Sequence, residues 1–209
     1  LDFFQNIFSI AGYPISLIEF ISVVCGIVAV YLAAKEKIIN WPIGLINIIT
    51  AFFIYFHVQL YSDMFLQCYY FLISIYGWYF WSREKENHIP LKILSTKQRI
   101  QIILIIIIGS LLAGTIISRL HLIPNGWFPK PAAYPYADSL VAVMSILANA
   151  LLAKRYLENW FLWILVNTIS VYLYIQKEIV FIAFEFFVFL LLAIYGLIEW
   201  KKLYKHPAE

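Results

Sequence analysis

NWPIGLINIITAFFIYF, residues 40–56, and NWFLWILVNTISVYLYI, residues 159–175, begin with the same Asn-Trp pair 119 residues apart. Both are apolar enough to cross a bilayer, and both carry an asparagine inside the run, Asn47 and Asn167. A side-chain amide in hydrocarbon is costly unless something bonds to it. The repeat bears on the architecture, and the amides bear on the chemistry.

The same spacing recurs along the chain. LAAK at 32–35 meets LLAK at 151–154, and IYG at 75–77 meets IYG at 194–196. Tyr55, Phe65 and Trp81 meet Tyr174, Phe184 and Trp200. Apolar sequence matches Leu and Ile by chance, but not Asn-Trp, Tyr-Gly and Trp in order, so a duplication is expected.

Of 209 residues, 63% are hydrophobic and only 13% charged; a soluble domain carries about 25% charge. The apolar residues fall in runs of roughly 20, the length of a transmembrane helix, so the chain reads as an all-α integral membrane protein. A net charge of +3, spread between the runs, gives no nucleic-acid surface. Cys25 and Cys68 sit inside apolar runs and read as packing residues. The first run lacks a convincing signal-peptidase site and is expected to be retained.

Seven spans are predicted: Pro14–Ala34, Trp41–Val58, Met64–Trp81, Ile100–Ser118, Ala137–Ala153, Leu157–Ile175 and Ile179–Ile198. Residues 1–13 read as an amphipathic segment lying in the interface. Residues 14–82 and 137–199 are the two three-helix repeats. Between them lie a cytoplasmic loop and linker helix, 83–118, and an external loop, 119–136; 200–209 is a basic tail. The loops after spans 1, 3, 5 and 7 hold 12 of the 15 Lys and Arg, which places that side in the cytoplasm and the N-terminus outside. Trp41, Trp78, Trp81, Trp160 and Trp200 fall near span ends, as an aromatic belt would place them. The fourth span belongs to neither copy; it returns the chain so that the second copy enters with the same orientation. The result is a 3+1+3 arrangement of parallel repeats, a plan in which substrate binds near the midplane.

Helical spacing lines the polar residues up. Trp163, Asn167, Ser170 and Tyr174 form one stripe, and Gly44, Asn47, Thr50 and Ile54 another. Gln67, Tyr70 and Ser74 align on span 3, Phe181, Glu185, Phe189 and Leu192 on span 7, and Ser145 and Asn149 on span 5. Asn167 stands one residue past the equivalent of Asn47, which is Val166. Any one of these groups can serve as interhelical glue. As a set they are expected to converge on one wet cavity between the halves. Glu185, the carboxylate deepest in the apolar runs, is the leading functional candidate. Glu19 and Asp138, also 119 apart, read as helix-start chemistry. No Lys or Arg lies mid-span, so a neutral or cationic solute fits better than a phosphate. Aromatic walls suit a cationic ring, and amides suit a carboxamide or sugar hydroxyls.

These runs resemble the PnuC family of vitamin transporters. The carrying stretches are NWPIGLINIITAFFIYF, YSDMFLQCYYFLISIYGWYFW and LANALLAKRYLENWFLWILVNTISVYLYI, followed by IYGLIEW. The resemblance implies facilitated uptake of nicotinamide riboside across a bacterial inner membrane, by a homotrimer with a fold related to the sugar-carrying SWEETs. It implies a functional link to a cytosolic nicotinamide riboside kinase, and neither a cofactor nor a metal. Trp163, Asn167 and Glu185 would hold the ligand in the second repeat, and Asn47, Gln67 and Tyr70 in the first, with Asn149 beside them. The eight prolines avoid every span interior, unlike the hinge prolines expected of SWEETs, so helices are expected to rock as units. Thiamine or riboflavin is the alternative substrate. His57, His88, His121 and His206 are scattered and no HExxH occurs, which argues against an enzyme; a sensor or scaffold stays open.

Overall fold

The computed structural model describes residues 5–10, 13–57, 61–83, 90–122, 131–177 and 180–205. Among them are seven α-helices: α1 Leu17–Ala34, α2 Asn40–His57, α3 Tyr61–Ser82, α4 Thr96–Arg119, α5 Pro135–Ala153, α6 Glu158–Gln176 and α7 Val180–Lys205. Six of the seven expected spans match their helix to within four residues at each end; α7 runs seven residues past its expected end. Residues 123–130 of the expected external loop lie outside the described set, as does the Phe181 side chain.

Before α1 the chain forms an antiparallel hairpin of β1 Asn6–Ile10 and β2 Tyr13–Ser16. The start expected at Pro14 therefore moves to Leu17. Ser16 fixes that boundary. Its hydroxyl accepts from the Glu19 N–H, while the Glu19 carboxylate accepts from the Ser16 N–H at 2.8 Å, a capping box that satisfies two otherwise orphaned donors. Ser95 and Gln98 start α4 in the same way. Asp138 instead accepts from the Lys177 ammonium at 2.8 Å, tying α5 to the end of α6.

The helices pack as a ring. α1 lies on α2 and α2 on α3; α5 lies on α6 and α6 on α7; α7 closes onto α1 and α3 onto α5. α4 packs against α5, where Gly114 admits the Tyr136 ring, and leaves most of its apolar surface outward. By length and hydropathy alone, α1, α4 with its 3-10 extension, α5 and α7 are long and apolar enough to cross a membrane. The more polar α2, α3 and α6 are the helices that carry Asn47, Gln67 and Asn167. They are held in the ring by neighbours on both sides.

All the basic loops meet at one end of this ring. Lys35 bonds Glu199 at 2.9 Å, the Lys92 N–H donates to the Arg155 carbonyl at 2.9 Å, and Arg99 bonds Glu158 at 3.0 Å. Beneath them lie Trp41, Trp81, Trp160 and Trp200, each at most 3% exposed. The belt expectation fails for these four, which are core; only Trp78 is exposed. Trp81 touches Trp41 at 5.4 Å and Trp200 at 6.1 Å between ring centroids, and Trp200 touches Trp160 at 5.6 Å. The Trp81 indole donates to the Ala153 carbonyl at 3.2 Å, and the Trp200 indole to the Ala33 carbonyl at 3.1 Å. Each of the two seams, α3–α5 and α7–α1, is thus closed by one tryptophan reaching the last turn of the opposite helix.

Glycine makes the close packing possible. A Cβ on Gly196 would lie 2.6 Å from the Trp160 ring, and Gly77 meets the Trp41 ring just as closely. A mid-helix glycine costs about 1 kcal/mol relative to alanine, so its place here reflects the approach of the indole. Gly77→Ala and Gly196→Ala are each expected to cost about 1–3 kcal/mol through overpacking. Gly44→Ala, whose Cβ would meet Ala29 at an ordinary 3.7 Å, is expected to be neutral or slightly stabilising. Thermal unfolding in detergent separates the two outcomes.

Candidate functional site

Asn47 sits mid-α2 and faces α1. Its amide nitrogen donates to the Ser22 carbonyl at 2.8 Å and to the Ser22 hydroxyl at 3.1 Å. One turn further along α1, Gly26 leaves room for two groups: a Cβ there would lie 3.1 Å from the Asn47 amide nitrogen and 3.3 Å from the tip of Phe189. Gly26 therefore brings α2 and α7 side chains together across α1. Glu185 lies one turn from Phe189 on the same face of α7 and is half-buried. Among the described residues no cation pairs with it. Phe186 stacks on Tyr174 of α6 at 5.3 Å, so an aromatic wall joins α6 to α7 beside Glu185.

On α6, Asn167 and Ser170 are buried, and Trp163, one turn before Asn167, packs against the tryptophan core and against Ala148, Leu151 and Leu162. The helix is regular throughout, and the repeat is in register both before it, at Trp41 and Trp160, and after it, at Gly77 and Gly196. At the strict 119-residue spacing that these pairs keep, Asn167 stands one residue, about 100° around the helix, past the place of Asn47. Ile48 holds the place equivalent to Asn167 and is buried likewise.

The structure does not gather every candidate. Gln67 is buried at the side of a different hollow, a groove of about 420 Å³ between α2 and α3 lined by Ile48, Ile49, Phe52 and Phe71. That lining is apolar and partly exposed, so the groove faces outward. Tyr70 neighbours Tyr69, whose hydroxyl donates to the Ile146 carbonyl of α5 at 2.8 Å. Asn149 is half-buried on α5. The Ser145 and Thr50 hydroxyls return to carbonyls one turn back in their own helices, so part of each polar stripe satisfies itself.

Two features escaped the periodicity argument. Ser22 and Gly26 carry no signal of their own in an apolar run; only Asn47, an amide inside such a run, pointed to a partner. The second is Glu36 and Arg155, 119 residues apart, whose side chains form an ion pair at 2.7 Å with Arg155 4% exposed. Burial pushes the Glu36 carboxyl above its ordinary range, and the Arg155 charge pulls it back. The equal spacing was legible, but their meeting was not.

Among the described residues, a ring of six helices holds buried amides, the carboxylate of Glu185 without a cation beside it, and facing aromatics, and an apolar seventh helix lies outside the ring; this is the make-up of a polytopic membrane transporter. A family described as nicotinamide mononucleotide transporters matches residues 16–202, and the chain belongs to that family. It is 32% identical to the nicotinamide riboside transporter PnuC of Escherichia coli strain K12, over 96% of this chain and 94% of that one. The riboflavin/roseoflavin transporter RibM of Streptomyces davaonensis is 21% identical over 85% of this chain and 81% of that protein. The crystal structure of the vitamin B3 transporter PnuC superimposes with a TM-score of 0.67 at 25% identity, covering 90% of this chain and 82% of that one. Membership of a transporter family sets the enzyme reading aside.

Because Asn47 bonds both the Ser22 carbonyl and its hydroxyl, Asn47→Ala is expected to cost about 1–2 kcal/mol of stability. Ser22→Ala should cost less, since the carbonyl acceptor survives it. The double variant should cost less than the sum. Thermal unfolding of the four proteins in detergent checks the pairing, and additive losses would refute it.

Proposed function

We propose that the chain carries nicotinamide riboside across the bacterial inner membrane by facilitated diffusion, with its basic end in the cytoplasm and its N-terminus outside. The observation that carries this reading is the 32% identity, spanning nearly the whole chain, to a protein named for that substrate. Charge supports the riboside over the mononucleotide. No Lys or Arg lies mid-helix in α1 to α7, so a phosphate would find no cation there. The riboside is a pyridinium cation with a carboxamide and a ribose. Glu185 supplies a counter-charge, Trp163 and the Phe186–Phe189 wall supply faces for the ring, and Asn167 supplies donor and acceptor for the carboxamide or ribose. Tyr70 and Asn149 complete the set from α3 and α5, while Asn47 is held by Ser22 and Gln67 borders the α2–α3 groove, so neither is placed on the ligand.

The site lies at mid-membrane between two parallel repeats, α1–α3 and α5–α7, joined by α4 in a 3+1+3, SWEET-like plan. Matching contacts at 119-residue spacing support it: the Trp–Gly pairs, the seam tryptophans and the Asn40 and Asn159 amides, each donating at 2.7 Å to the carbonyl three residues before it. The protein acts as a homotrimer, and a cytosolic kinase traps the vitamin after entry. The hairpin before α1 rests in the outer interface.

Counterflow in proteoliposomes tests the substrate. Labelled nicotinamide riboside should exchange, whereas thiamine, riboflavin and nicotinamide mononucleotide should not. Exchange of riboflavin without the riboside would transfer the assignment to the RibM type. Glu185→Gln should reduce riboside exchange about tenfold or more, the loss of one charge-assisted contact. Asn167→Ala should raise the half-saturating concentration.

A further inference from the structure

Glu36 and Arg155 occupy the same place in the two halves, and it is an unusual one. Both have positive φ, 53° and 60°. Each stands just past the C-cap of its helix, in a turn where the next two N–H groups reach back: Glu36 and Lys37 to the Ala33 and Leu32 carbonyls, Arg155 and Tyr156 to the Leu152 and Leu151 carbonyls. Glycine normally fills this left-handed position, and a side chain there costs roughly 1–2 kcal/mol. Two long charged residues have been placed in it, and each turn then points its side chain at the other. The pair closes at 2.7 Å, over the seam tryptophans, with the Arg155 guanidinium 5.2 Å from the Trp81 ring centroid. Strain of this kind persists where surrounding contacts hold it and points to a working part.

We propose that the Glu36–Arg155 pair is the latch that holds the basic mouth of the transport pathway shut, with the Trp81–Trp200 contact as the plug beneath it. The pair joins the α1–α2 turn to the α5–α6 turn, so it links the two halves directly. Both seam bonds, Trp81 to Ala153 and Trp200 to Ala33, end on the last turns that carry the latch residues. If the halves rock apart at this end, the ion pair and both indole bonds must break together. The latch rests on reading this end as the cytoplasmic mouth of a transport path.

The equivalence of the two positions supplies the test. Ser74 lies seven residues before Trp81 on the same face of α3 and is buried, so a cysteine there reports whether the plug is open. In a Cys25→Ala, Cys68→Ala, Ser74→Cys background, a membrane-impermeant maleimide is applied from the basic side of oriented vesicles. Glu36→Arg or Arg155→Glu alone should raise the labelling rate on the order of tenfold. The double swap, Glu36→Arg with Arg155→Glu, should restore protection because the positions are interchangeable. Glu36→Gly with Arg155→Gly relieves both left-handed turns and removes the pair, so it should fold well and still label fast. Protection in the double-glycine variant, or a swap as open as the single variants, overturns the latch. None of these readouts uses a substrate, so a failure of the riboside assignment in counterflow leaves them unaffected.

Discussion

The approach of two indoles to two glycines is the constraint on which the ring depends. Trp41 can lie close against α3 only because Gly77 has no side chain, and Trp160 against α7 only because of Gly196. With those rings seated, the next tryptophans along, Trp81 and Trp200, meet over them and reach the opposite half. A bulkier residue at either glycine would push Trp41 or Trp160 outward and, through the ring contacts, pull Trp81 or Trp200 off the Ala153 or Ala33 carbonyl. Packing inside each half thereby sets the closure between halves. In lipid, where apolar burial gives little drive for helices to associate, such shape fitting and interhelical bonding carry the association.

The seams are also polar economies. Two indole N–H groups buried in an apolar core would be costly without acceptors, and the frayed carbonyls of a helix end are the acceptors at hand. Trp81 and Trp200 use them. The carbonyls they reach differ by one position in the repeat frame, Ala153 against Ala33, since the strict equivalent of Ala153 is Ala34. The halves are therefore alike in design without being superimposable atom by atom. The indole N–H groups of Trp41 and Trp160 find no acceptor among the described residues, and this too is the same in both halves.

Much of the fold was legible in the sequence because lipid imposes it. Runs near 20 apolar residues must be helices, and their ends showed in the charges, so six of the seven spans matched their helices closely at both ends. The Asn-Trp, Tyr-Gly and Trp matches turned out to be contacts. The tryptophans misled because end-of-span position is shared by belt residues and by a plug in a helical ring; only the neighbouring helix distinguishes them. The start of α1 misled because Pro14, Ile15 and Ser16 continue the apolar run into a strand. At the candidate site, Trp163 and Asn167 share one face of α6, and Glu185 and Phe189 one face of α7, as their spacing requires. Periodicity could not say which amide is already spent. Asn47 is bonded to Ser22, and Gln67 borders a separate groove, because a helical stripe gives direction around one axis and nothing about what stands opposite.

The two halves diverge where the ends agree. In the middle of the helices, the residues 119 positions away from Asn47, Ser22 and Gly26 are Val166, Val141 and Ser145; those 119 away from Gln67, Trp163 and Glu185 are Phe186, Gly44 and Leu66. None of the seven candidate site residues has a polar residue 119 positions away in the other half. The basic end closes on itself, and a contact between equivalent surfaces gains from staying equivalent. A solute with a charged ring at one end and a sugar at the other has no twofold axis. A pocket with two identical walls would bind it equally well in two opposed poses, and its groups would be only half matched in each. At the proposed site, a carboxylate and a tryptophan in one half alone would give such a solute a single orientation. The 119-residue likeness thus serves the closed end, and its loss at the candidate residues is what the proposed site would use to tell the two ends of the solute apart.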